Sequence, residues 1–181
     1  MSVRILSEPD LTVNVPKTEG VFRGVLLSYR AMGEYDRRYF DEIEVGEEYV
    51  SPGRTVTEAD IVIFAGLSGD YNVLHTDAEF MKKSIFGERI AHGLLGLAIQ
   101  SGLLGRGMRP YATLALLGLR WKFKGPIKIG DTITVRAKVI EKRETSRKDR
   151  GIITLQRQVL NQRGEVVQDG ETDVMVERRG H

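Results

Sequence analysis

The spacing of hydrophobic and polar positions divides the chain into three stretches. Through residues 1–38 the apolar residues follow no sustained period. Pro9 and Pro16 interrupt them, and they give way to the polar run Met32-Gly33-Glu34-Tyr35-Asp36-Arg37-Arg38. This stretch is expected to form an N-terminal extension or arm ahead of one domain over residues 39–181. From Phe40 the punctuation becomes regular. Val45-Gly46-Glu47-Glu48 reads as a turn and Tyr49 to Thr57 as an extended strand. Thr57 followed three positions later by Asp60 reads as a helix start, with aspartate in place of the usual Glu or Gln of a capping box. The helix it opens should close at Gly69, a residue suited to the left-handed cap. Asp70 to His75 reads as turn, and Asp77 as the cap of a second short helix.

From His92 to Gly105 small and apolar residues alternate on nearly every face, which predicts a helix buried all round and wrapped by a sheet. Beyond Pro110 the period changes to that of strands. Thr113–Phe123, Thr132–Glu144, Gly151–Asn161 and Val166–Val176 are rich in β-branched residues with polar alternation. Gly125-Pro126 predicts a bend between them, and Gly130-Asp131, Lys148-Asp149 and Arg163-Gly164 predict hairpins. Long antiparallel strands around a central helix make an α+β domain.

Composition narrows the chemistry. Twenty-seven basic against 25 acidic residues leave a formal charge of +2, which gives no support to a nucleic-acid partner. With no cysteine there is no disulfide framework, thiolate metal site or cysteine nucleophile. The most apolar segment, Leu94 to Leu104, is about half the roughly twenty residues a membrane span needs, and the first ten residues lack the apolar stretch of a secretion signal. A cytoplasmic protein with no membrane partner is expected.

Two of the three histidines, His75 and His92, flank the segment between the first helix and the buried one, and Asp70 stands five positions before His75. An imidazole and a carboxylate meeting at the mouth of an apolar helix can hold one water and move protons at neutral pH. The bland alternative is that His75 donates to a backbone carbonyl, Asp70 caps a helix end, Asn72 is a satisfied turn residue and His92 fixes its loop by hydrogen bonding. Gly93 either relieves crowding or, at a helix start, offers an amide to an oxyanion. Position alone leaves these readings open. No metal-binding spacing such as H-E-x-x-H occurs, and neither a dinucleotide fingerprint nor a serine elbow is present. No metal or cofactor is expected.

Two strings sharpen the choice. Leu67-Ser68-Gly69-Asp70-Tyr71-Asn72-Val73-Leu74-His75-Thr76-Asp77 and Phe86-Gly87-Glu88-Arg89-Ile90-Ala91-His92-Gly93-Leu94-Leu95 resemble the hydratase motif of the MaoC-like, (R)-specific enoyl-CoA hydratase family. Gly125-Pro126-Ile127-Lys128-Ile129-Gly130-Asp131-Thr132 is similar to that family's P-V-x-x-G-D hairpin, so the resemblance covers about residues 40–178. It implies a hot-dog fold, catalytic roles for Asp70 and His75, an oxyanion-binding amide at Gly93, and a loop-holding or substrate-touching role for Asn72. It further implies reversible hydration of a trans-2-enoyl thioester, carried on coenzyme A or an acyl carrier, and a homodimer or higher homo-oligomer. Two positions depart from the pattern. Val73 stands where the family usually has proline, and Met81 where it prefers a small residue, so Met81 is expected to reshape the acyl pocket.

Two other functions fit the fold class. A hot-dog thioesterase would need an acidic residue on the central helix, where Leu94 to Leu104 offers none. A non-catalytic acyl-thioester-binding partner subunit would be expected to lack the Asp70–His75 pair. Basic residues near the motifs, among them Lys82, Arg89 and Lys124, are read as a solvated face.

Overall fold

A computed structural model describes residues 36–106 and 109–180. Most of the expected arm, residues 1–35, lies outside the described residues, as does His181. Near the start of the described chain lies Arg38, whose amide donates to the Pro110 carbonyl and whose guanidinium grips both carboxylate oxygens of Glu47. A single 3₁₀ turn, Phe40–Glu42, follows.

Six strands build one antiparallel sheet: β1 (Glu48–Val50), β2 (Arg54–Thr55), β3 (Thr113–Phe123), β4 (Thr132–Glu144), β5 (Arg150–Leu160) and β6 (Val166–Glu177). The order across it is β1-β4-β5-β6-β3, with β2 also paired to β4. The expected strand from Tyr49 to Thr57 is therefore two short strands, because Ser51-Pro52-Gly53 interrupts the ladder; Pro52 has no N–H to give to it. Gly130-Asp131 is likewise no hairpin. It closes a loop in which Gly130 N–H donates to Val56 and the Asp131 side chain turns inward.

Four helices accompany the sheet. The first, α1 (Glu58–Ser68), starts on the expected capping box: Thr57 accepts from the Asp60 amide and Asp60 reaches back to the Thr57 amide. Gly69 ends it at φ 74°, a left-handed conformation that costs a residue with a Cβ about 1–2 kcal/mol. Next come α2 (Val73–Thr76), a helical turn where Asp70 to His75 is expected to be irregular turn, and α3 (Ala78–Met81), capped by Asp77 as expected.

The central helix, α4 (Gly93–Leu104), lays Leu95, Ile99 and Leu103 against Val135, Val159 and Val167 of the sheet, and these with Ile61 of α1 form the main core. A second cluster, where Phe40 and Ile43 cover Val139, Ile153 and Val176, closes the far end of the sheet. The helix is not buried all round. Leu94, Ala98, Ser101 and Gly102, at the i, i+4, i+7, i+8 spacing of one stripe, are exposed. This corrects the expectation from its composition, since the sheet covers only one side of it. The outermost strand beside it, β3, also exposes Leu114, Leu116, Leu117, Leu119 and Phe123.

Candidate active site

The site is assembled from three segments that clamp one another through backbone groups. Asn72 caps α2, its Oδ1 accepting from the Leu74 amide at 3.0 Å. The Asn72 amide in turn donates to Asp70 Oδ1 at 3.2 Å, which fixes the carboxylate at the start of the turn. Ile90 then holds α2 at two points: its amide donates to the Leu74 carbonyl, and its carbonyl accepts from His75 Nδ1 at 2.8 Å. The next residue, Ala91, donates its amide to Ile127 at 2.8 Å and so ties this pair to the loop before β4. That loop is held by Asp131, whose Oδ2 accepts from the Lys128 amide and whose Oδ1 accepts from Gln162 and Arg163. Burial pushes the Asp131 carboxyl up, but these three donors outweigh it and hold the group below its ordinary value.

Asp70, His75 and His92 meet in one place: a carboxylate oxygen and one nitrogen from each ring all lie within 4.8 Å of one another. The two imidazoles stack, 3.7 Å between centroids and 28° between planes, with Phe64 tilted against His92 at 5.0 Å. Both histidines are buried, while Asp70 is exposed. A carbonyl oxygen only accepts, so His75 Nδ1 carries hydrogen toward Ile90, which leaves Nε2 of the neutral ring with a lone pair. By the same rule His92 Nε2 donates to the Asp70 carbonyl at 2.9 Å, the loop-fixing role expected of it. Its Nδ1 is buried without a partner among the described residues. These atoms lie close enough together to approach one cation, and each histidine spends one nitrogen on a backbone carbonyl and keeps the other.

The bland and the chemical readings of Asp70 and His75 thus coexist. Each makes the backbone contact a structural residue would make, and each keeps a free atom. Two hydrogen bonds of about 2.8 Å meeting at a water's angle span roughly 4.6 Å, which falls inside the 4.8 Å limit that bounds the separation of these atoms.

His75 opens onto a cavity of about 550 Å³ walled by Phe86, Leu94, Phe123, Pro126 and Ile127, with Gly93 at its edge. Gly93 is the first residue of α4, and the first amides of a helix have no partner within it. Asp70 and Asn72 stand beside the cavity rather than in its wall, and Met81 is fully buried outside the lining residues. Gln168 carries no motif or spacing that marks it in the sequence. It lines the cavity, is buried, donates to the Gly93 carbonyl at 2.9 Å and accepts from Trp121 at 3.0 Å. Gly96 makes room for it: a Cβ there would lie 2.4 Å from Gln168 Nε2. Of the nearby basic residues, Lys82 pairs with Glu79, Arg89 with Glu58 and Lys124 with Asp169. Among the described residues no helix is long and apolar enough to cross a membrane.

A family model described as MaoC like domain matches residues 42–159, well over half of the chain. Protein MaoC of Klebsiella aerogenes is 47% identical over 102 residues, 55% of this chain, and the match spans only 30% of that protein's length. An (R)-specific enoyl-CoA hydratase of Rhodospirillum rubrum is 36% identical over 146 residues, 78% of this chain and 94% of its own. A crystal structure of a MaoC-like dehydratase from the same organism superposes with a TM-score of 0.72 at 33% identity, covering 80% of this chain and 99% of that one. The architecture is the hot-dog fold. The chain belongs to the MaoC-like domain family, a family of hydratases and dehydratases.

Proposed function

We propose that the protein adds water reversibly to a trans-2-enoyl thioester, giving the (R)-3-hydroxyacyl thioester. The observation that carries this reading is the span of at most 4.8 Å between the Asp70 carboxylate and a His75 nitrogen, beside an apolar cavity with a helix-start amide at its edge. A carboxylate and an imidazole Nε2 are both acceptors, so a water between them donates both hydrogens and keeps its lone pairs for attack. Its oxygen bonds the β-carbon of the enoyl group as the carbon–carbon π pair moves toward the thioester carbonyl. One member of the pair takes the water's proton, and the pair returns a proton to the α-carbon on the same face. The atoms balance as hydroxyl on the β-carbon and hydrogen on the α-carbon.

The carbonyl oxygen gains enolate charge during the attack. The Gly93 amide, aided by the dipole of α4, stabilises that charge more in the transition state than before it. Such a donor contributes about 3–4 kcal/mol and a positioned acid/base about 10²–10⁴-fold, enough for an efficient hydratase from this chain's own groups. Asn72 holds the loop. The similarity to an (R)-specific enoyl-CoA hydratase supports a coenzyme A or carrier-bound acyl thioester as substrate. The apolar stripe on α4 and the exposed leucines of β3 support a homodimer, because a bare apolar edge strand is otherwise open to association.

The test is the loss of the conjugated thioester's ultraviolet absorbance on adding protein to crotonyl-, octenoyl- and branched enoyl-CoA. At least one trace should fall, and unchanged traces with all three would refute the hydratase. Sedimentation at micromolar concentration should give twice the chain mass, and a monomer there would remove the dimer.

A further inference from the structure

The helices of the described chain do not all start alike. Thr57 accepts from the Asp60 amide at α1, Asn72 from Leu74 at α2 and Asp77 from Phe80 at α3, whereas His92, which precedes α4, makes no side-chain cap among the described residues. A cap there would occupy an amide that now stays open. The first turn of α4 is also a weak helix by composition, because Gly93 and Gly96 give up more backbone freedom on folding than any other residue would. Packing holds both positions to glycine: a Cβ on Gly93 would lie 2.9 Å from the Phe123 ring, and one on Gly96 would collide with Gln168 Nε2. An uncapped turn with two glycines needs another fastening.

Gln168 supplies it from the carbonyl side. It stands on β6, in register with Phe123 of β3 and Val159 of β5, and its buried side chain reaches the helix, where Nε2 donates to the Gly93 carbonyl at 2.9 Å. The amide is oriented from its other end. Trp121 Nε1 can only donate, so it holds Oε1, at 3.0 Å; turning the amide over would set oxygen against oxygen and N–H against N–H. The Trp121 ring is seated in turn by its register partner Gly170, where a Cβ would collide with it. A chain of two bonds thus runs from the sheet through a residue of the cavity wall to the first residue of α4.

We propose that Gln168 is a positioning residue of the reaction: held by Trp121, it fixes the first turn of α4 and so keeps the Gly93 amide aimed at the thioester oxygen. This rests on the hydratase reading and adds to it the group that preorganises the oxyanion donor. A donor stabilises developing charge cheaply only if it already points at the place where the charge appears. On a loose turn the Gly93 amide would still meet the ground-state carbonyl, but it would lose much of its advantage in the transition state. The mark of this role is therefore a fall in kcat with KM little changed.

Gln168→Met keeps the length of the side chain and removes both hydrogen bonds. With the enoyl-CoA that the wild type hydrates best, its kcat should fall about tenfold, part of the roughly 10²–10³-fold that losing an oxyanion donor outright costs, while KM stays within about twofold. Trp121→Phe keeps a ring but not the N–H, and should lose about threefold; the double variant should lose no more than Gln168→Met alone, because both act through one chain of bonds. A Gln168→Met protein that melts lower but keeps its kcat would make the residue a packing group only and overturn the proposal. A second readout needs no activity. Trp121 is the one tryptophan of the chain, so its emission should shift in Gln168→Met as the indole N–H loses its acceptor, and an unmoved emission would also overturn the proposal. Should Gln168→Met fail to fold, the kcat of Trp121→Phe decides by the same criterion. A wild type that hydrates no enoyl-CoA would remove the hydratase reading and this role together, whereas an active wild type beside an equally active Gln168→Met removes this role alone.

Discussion

Two aspartates at the site's margins, Asp70 and Asp131, are built in opposite ways. Asp131 is buried with both oxygens occupied by the Lys128 amide, Gln162 and Arg163, and this saturation holds its carboxyl below the ordinary range. Asp70 is exposed and accepts a single bond, from the Asn72 amide. Each follows a glycine with positive φ, Gly69 and Gly130, so local backbone does not separate them. Occupancy does. A carboxylate with both oxygens engaged by protein donors fixes a loop, and one with an oxygen left free beside an imidazole is available to a substrate water. The two are linked, because the loop Asp131 fixes carries Ile127, whose carbonyl holds Ala91 next to the Ile90 clamp on His75.

The largest expected effect breaks the contrast from the chemical side. Asp70→Asn keeps the shape and the oxygen that accepts from Asn72 but removes the charge. Hydration of an enoyl-CoA should fall about 10²–10⁴-fold in kcat, while thermal stability stays within about 0.5 kcal/mol, as for an exposed surface change. His75→Gln should lose activity to a similar degree, and Asp70→Asn/His75→Gln together little more than either, because residues sharing one water act as a unit. Stopped assays of kcat beside thermal melts check this, and a stable Asp70→Asn protein with unimpaired kcat would end the contrast.

The part of this arrangement legible in the sequence follows from what each reading rests on. Strands β3 to β6 were legible to within a residue because alternation and turn chemistry are local signals. The hot-dog resemblance rested on the same residues that hold the three clamped segments together. Four-residue α2 was not legible, because one turn shows no period, although Asn72 two residues before Leu74 was a cap in plain view. Gln168 was passed over because one glutamine on a strand reads as solvent-facing until register places it under Gly96. The exposed side of α4 was not legible, since composition tells how apolar a helix is and not which of its sides a single chain covers.

Next in size is the loss of Asp131. In Asp131→Asn one acceptor oxygen becomes a donor facing donors, which should cost about 2–3 kcal/mol in denaturant unfolding, with kcat near normal at temperatures where the protein is folded. The pH dependence has a fixed sign. A carboxyl held below its ordinary value of 3.8 contributes stability that is full above that value and lost as pH falls through the lower folded one. The stability gap between wild type and Asp131→Asn should therefore be flat near neutrality and shrink below pH 3.8. A gap that instead widened with acid would show that the carboxylate is not what fixes this loop.

The smallest effect, at Asn72, sharpens the contrast most finely, because this residue touches both the cap and Asp70. Asn72→Ala removes the acceptor of the Leu74 amide but keeps the backbone N–H that Asp70 binds. Losing a helix cap costs about 1 kcal/mol, here on the one turn that carries His75, so kcat should drop by about tenfold or less. Asn72→Asp can still cap α2 and should recover the stability. If it also recovers kcat, Asn72 serves the reaction only by holding His75 where Ile90 receives it. If stability returns while KM stays raised, the side-chain amide contacts the substrate, and the turn between Asp70 and His75 then carries three groups that face the acyl thioester instead of two.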